Sequence, residues 1–111
     1  MKQYSRTIKF QAMSQEELDT ARRIYDDGTK GMEGAILSFG GYDYQRGPHE
    51  ITISVPPTAE KMREVDERID KIGQGLVGNG YRIQISDPYP TMAFIERLSS
   101  SLPGSRLFFE R

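Results

Sequence analysis

The sequence predicts an α+β fold, a two-layer sandwich in which two helices cover one face of an antiparallel sheet, and three observations carry that prediction. Residues 4 to 86 contain two long segments with apolar residues at intervals of three and four, the period of an amphipathic helix. Three short segments alternate apolar and polar residues like strands with one wet face, and a fourth is a short apolar run. Their order is strand, helix, strand, strand, helix, strand. Only 36% of the residues are apolar, which suits one core between two layers better than the two cores of a three-layer body. At 111 residues the chain reads as a single α+β domain, residues 1–111, with a core over 4–86 and a carboxyl-terminal extension over 87–111. A domain of this size buries roughly 65% of its extended surface.

Tyr4, Arg6, Ile8 and Phe10 lie on one side of the first strand, opposite Ser5, Thr7 and Lys9. Met13 to Leu18 then reads as a helix start. The Ser14 hydroxyl can cap the first turn, Glu17 can return to the Ser14 amide, and Met13 can pack over Leu18. Glu16 and Glu17 also suit the positive end of the helix dipole. Leu18, Ala21, Ile24 and Tyr25 form the buried stripe, which ends near Gly28. The glycine-rich segment 28–34 is a turn, Ala35 to Phe39 an apolar strand, and Gly40 to Pro48 a long hairpin connection. In the strand His49 to Val55, Ile51, Ile53 and Val55 alternate with Glu50, Thr52 and Ser54.

Pro56 and Pro57 end that strand because neither has an amide to donate, and Thr58 can cap the helix that follows. Met62, Val65, Ile69, Ile72 and Leu76 make its apolar stripe, with Glu64–Arg68 and Glu67–Lys71 as favourable pairs on its wet side. Gly78-Asn79-Gly80 supplies a left-handed terminator, and Tyr81, Ile83 and Ile85 then oppose Arg82, Gln84 and Ser86 in a last half-buried strand. This connectivity resembles the ferredoxin-like split βαβ sandwich. The resemblance rests on element order, so it implies a fold and no activity. Beyond it, Asp87 to Pro90 reads as a rigid turn, Thr91 to Leu98 as a short helix, and Arg106 to Glu110 as an extra strand that pairs within the monomer or with another chain.

Fifteen basic and sixteen acidic residues leave a formal charge of -1, which gives no general attraction to a phosphate backbone. Without cysteine there is no disulfide, no thiolate nucleophile and no cysteine-ligated metal. The first ten residues lack the apolar run of a signal segment, and no stretch has the length of an apolar membrane span, so the expectation is a soluble, cytoplasmic protein with no membrane partner. A single histidine, His49, excludes a multi-histidine metal cluster. Gly28-Thr29-Lys30-Gly31 falls short of the GxxxxGK[ST] phosphate loop and follows a helix where that motif follows a strand. The adjacent carboxylates Glu16–Glu17 and Asp26–Asp27 diverge on a helix and specify no acid–base pair. No cofactor and no metal ligand set is indicated.

Three functional readings remain. The leading one is a non-catalytic protein-binding module, an inhibitor, immunity factor or accessory subunit, whose partner is another protein or a second copy. Tyr42, Tyr44 and Arg46 would be its anchors on the glycine-flanked hairpin, since tyrosine and arginine are effective interface residues. Tyr89, held between Pro88 and Pro90, and Phe108 in the tail would be secondary contacts. The first alternative is a metal-free, nuclease-like phosphodiesterase in which His49 moves a proton and Arg46 stabilises phosphate charge. The second is a regulatory domain that binds nucleic acid or, through its glycine-rich loops, a small ligand. Arg6, Lys9 and Arg82 could form a basic patch for it, but the wet strand faces carry no aromatic residue on which bases could stack.

Overall fold

The computed structural model describes residues 3–41 and 43–86. Strand β1 spans Tyr4–Phe10, helix α1 Gln15–Gly28, strand β2 Ile36–Gly40, strand β3 His49–Val55, helix α2 Ala59–Gly78 and strand β4 Ile83–Ile85. The four strands form one sheet in the order β2-β3-β1-β4, with every neighbouring pair antiparallel. Together with two helices this is the ferredoxin-like β-α-β-β-α-β sandwich that the polarity pattern predicts. The extra helix and strand predicted beyond Ser86, like Tyr42, Tyr89 and Phe108, lie outside the described residues.

Register explains the core. Ile8 stands opposite Ile51 on one side and Ile85 on the other, and all three are fully buried. Val65, Ile69, Ile72 and Leu76 of α2 reach the same core from the helix layer, as their spacing predicts. Fully burying a side chain of this kind contributes about 1.5–3 kcal/mol, so this isoleucine-rich centre is the main source of cohesion. From α1, Leu18, Ala21 and Tyr25 are buried.

Both helices begin on the predicted caps. The Ser14 hydroxyl accepts from the Glu17 amide at 3.1 Å and the Thr58 hydroxyl from the Lys61 amide at 3.2 Å. Two details depart from the expected start of α1. The Glu17 carboxylate accepts from the Met13 amide rather than that of Ser14, and Met13 is 73% exposed, so it does not staple Leu18. At the end of α2 the left-handed residue is Gly80, at φ 92°, and not Asn79. Of the two expected surface pairs, Glu64–Arg68 forms at 3.6 Å, and Arg68 also donates to the carbonyls of Gly28 and Lys30, tying α2 to the end of α1.

Arg6 departs from the basic patch suggested by the sequence. Its side chain points to the helix layer, is 3% exposed, and donates to the Asp66 carboxylate on α2 at 2.6 Å and to the Ser86 carbonyl at 3.2 Å. Lys9 lies on the opposite face of β1, half-exposed and 4.0 Å from Glu50. Two-residue alternation already placed Arg6 with Tyr4, Ile8 and Phe10. Only α2, arriving 60 residues later, supplies the carboxylate that makes a buried guanidinium tolerable.

Candidate functional site: an edge strand and its hairpin

The sheet order leaves β2 and β4 as edges, and the two are unequal. β4 has three residues and is preceded by the exposed Arg82. β2 has five, Ile-Leu-Ser-Phe-Gly, without charge or proline, and among the described residues nothing pairs with its outer side. Such an edge presents a row of backbone donors and acceptors, which natural sheets blunt with charge, proline, a bulge or cover. β2 carries none of the first two.

Its side chains split by register. Ile36, Ser38 and Gly40 stand in rows with Ser54, Thr52 and Glu50 on the open face of the sheet, while Leu37 and Phe39 stand with Ile53 and Ile51 on the helix face. Phe39 is anchored, its ring 6.0 Å from Phe10 and 5.3 Å from Tyr25, with the Arg22 guanidinium 5.3 Å from its centroid. Ile36 is 60% exposed and Leu37 37%. Most of the predicted apolar strand 35–39 is therefore not core. Helix α2 packs over β1, β3 and β4, while α1 reaches β2 at Phe39 and leaves Ile36 and Leu37 less covered.

Inward from the edge, the open face is flat and polar. The Ser5 and Ser54 hydroxyls meet at 2.6 Å and those of Thr7 and Thr52 at 3.0 Å, in a band of short side chains across β1 and β3. Among the described residues no aromatic side chain stands on this face.

β2 runs directly into the hairpin. Gly40 is followed by Gly41 at φ 103°, a left-handed conformation that favours glycine, and a Cβ there would collide with Nδ1 of His49. Asp43 to Arg46 closes as a turn, with the Arg46 amide donating to the Asp43 carbonyl at 2.9 Å and the Gln45 amide to the Asp43 carboxylate at 3.0 Å. The Gly47–Pro48 peptide is cis. Tyr44 folds partly back against the core, and the Gln11 amide donates to its carbonyl at 3.4 Å. Arg46 projects, 86% exposed, with a long side-chain contact to Asp43 at 3.8 Å among the described residues. Of the three hairpin anchors named from the sequence, Arg46 is thus free to reach outward, Tyr44 is half-committed to the body, and Tyr42 lies outside the described residues.

His49 has a different environment from Arg46. It is fully buried, its ring 5.4 Å from that of Phe10, and neither ring nitrogen has a hydrogen-bond partner among the described residues. General acid–base chemistry requires a proton path between such a nitrogen and a substrate. The backbone of Gly41 lies against Nδ1.

Tyr4 donates to the same Asp66 oxygen that receives Arg6, at 2.7 Å, and burial together with that carboxylate pushes the phenol well above its usual range. Asp70, one turn further along α2, is raised by loss of solvent and by the Asp66 charge, against the pull of Arg6. These groups form a bracket between β1 and α2. No group of three or more histidines, aspartates or glutamates among the described residues could hold a metal, and no helix among them is long and apolar enough to cross a membrane.

Ile36 and Leu37 are the candidate site residues that reading the sequence missed. Their apolar character suggested core, whereas the β-α-β-β-α-β order itself, which puts the second strand at the sheet edge, was the available signal. No protein-family model, no curated protein and no solved structure matches the chain.

Proposed function

We propose that this protein is a non-catalytic protein-binding module of the cytoplasm, an inhibitor, immunity factor or accessory subunit, which engages its partner along β2 and the hairpin that follows. The observation that supports the reading is the uncharged edge strand, with Ile36 60% and Leu37 37% exposed, together with the turn at Asp43–Arg46 from which Arg46 projects. A partner strand added to β2 would satisfy the outward backbone groups, Ile36 and Leu37 would supply the apolar contact, and Arg46 would make charge-assisted hydrogen bonds at the rim. Tyr44 would act by holding the turn as much as by touching the partner.

The test is to recover the partner by co-purification from the native cells, identify it by mass spectrometry, and titrate the purified protein against variants. Arg46→Ala and Ile36→Lys are each expected to raise Kd by about tenfold or more while the circular dichroism stays unchanged. Wild-type affinity in both variants would remove β2 and the hairpin from the interface.

A further inference from the structure

We propose that the occupant of the β2 edge is a second copy of this chain, paired antiparallel to the first through β2 about a two-fold axis at Ser38, so that two four-stranded sheets become one of eight. The inference rests on the edge-binding reading above and specifies its partner.

Self-complementarity carries it. With Ser38 opposite Ser38 of the second copy, Ile36 falls opposite Gly40 and Leu37 opposite Phe39, each pair occurring twice. On the open face the exposed Ile36 then meets a residue with no side chain, so the bulky group finds room across the strand pair. On the helix face the partly exposed Leu37 meets the small accessible edge of Phe39, which Phe10, Tyr25 and Arg22 already hold in place. The axis itself carries two serines, extending the hydroxyl band of Thr7 and Thr52 instead of opposing two charges or two bulky groups. In β2 no like charges face each other in this register.

Charge at the flanks is mixed and does not decide the arrangement. Antiparallel pairing sets the turn that precedes β2 in one copy beside the hairpin that follows β2 in the other. The preceding turn carries the exposed Glu33, which falls level with Asp43 of the second copy, and the hairpin projects Arg46 close to Asp43, so the charge at each flank is of mixed sign. Asp43 is the opposing charge in the hairpin, and the Gln45 amide and Arg46 already engage it. A five-residue strand pair lies at the small end of specific interfaces, so the association is concentration-dependent.

The test uses the full chain, whose lack of cysteine makes a single introduced thiol unambiguous. Sedimentation equilibrium should show the mass rising from the 12.6 kDa of one chain towards twice that value between about 1 µM and about 1 mM. Ser38→Lys and Ser38→Glu should each move the midpoint at least about tenfold higher, because each sets like charges face to face, and an equimolar mixture of the two should restore dimerisation. Ser38→Cys should give a disulfide dimer on mild oxidation, while Gln74→Cys, on the exposed side of α2, should not. Circular dichroism confirms that each variant is folded.

A constant single-chain mass, a mixture that restores nothing, or equal crosslinking by the two cysteine variants would overturn the self-pairing. If the chain stays single while a foreign partner still responds to Arg46→Ala, the self-pairing fails and the edge-binding reading stands. A dimer indifferent to every Ser38 variant would place the contact between copies elsewhere and likewise reject the inference.

Discussion

Arg6 and His49 are two polar side chains buried on the same face of the sheet, and they are accommodated differently. The Arg6 guanidinium is paired with a carboxylate and a carbonyl, while the His49 imidazole sits among rings and backbone with its nitrogens unpartnered among the described residues. Removing the counter-charge from a buried cation leaves a desolvated charge behind, which costs more than the pair itself contributes. Asp66→Ala is therefore expected to destabilise the protein by about 2–3 kcal/mol, near or below the lower end of the usual range because Asp66 is 32% exposed. Urea denaturation measures this. A loss below about 0.5 kcal/mol would show that water reaches Arg6 and carries its charge.

At the scale of elements, the helix layer depends on close approach at glycine. Gly28 ends α1 against Ile72 of α2, and a Cβ at that position would overlap the Ile72 side chain. Gly28→Ala is expected to cost about 1–3 kcal/mol, the usual range for overpacking a filled core, although alanine is the better helix former. A gain in thermal stability on this substitution would mean that Ile72 moves aside freely. The edge strand follows the opposite logic. β2 is held by β3 on one side and beneath by Phe39 and the covered part of Leu37, so the 60% exposed Ile36 is the apolar side chain of this strand that contributes least to folding. Substitution there probes binding with little confounding loss of stability.

Across the whole molecule, two phenols that link the layers couple folding to alkaline pH. Tyr4 reaches Asp66 of α2, and Tyr81 donates to the Glu17 carbonyl of α1 at 2.5 Å. Burial first, then the neighbouring carboxylate, raises both above their ordinary values. The unfolded chain gives up these protons near pH 10 while the folded chain retains them. Their stabilising contribution is thus complete below about pH 10 and declines as pH rises towards the folded values, by at most about 1.4 kcal/mol per pH unit for each group. The urea midpoint should fall between pH 8 and pH 11, and less steeply in Tyr4→Phe. An identical fall in that variant would assign the effect to other groups.

How much of this was legible beforehand depended on the range of the interactions involved. Helix spans, caps and buried stripes follow from relations between residues three or four apart, and strand faces from relations two apart, so Ser14, Thr58, Val65, Ile69 and Ile51 could all be placed from local pattern. The hairpin was legible as a connection, and its turn at Asp43–Arg46 forms among neighbours. Pattern did not reveal that Tyr44 leans on the core while Arg46 does not. Nor did it separate Ile36 and Leu37 from the true core, because an apolar side chain looks the same in sequence whether or not a helix covers it. Those outcomes were set by contacts between distant segments. The strand order made β2 an edge, α2 brought Asp66 to Arg6 across 60 residues, and the Gly41 backbone closed over His49. Local periodicity is written into the covalent chain, whereas burial and edge position exist only once the layers have met.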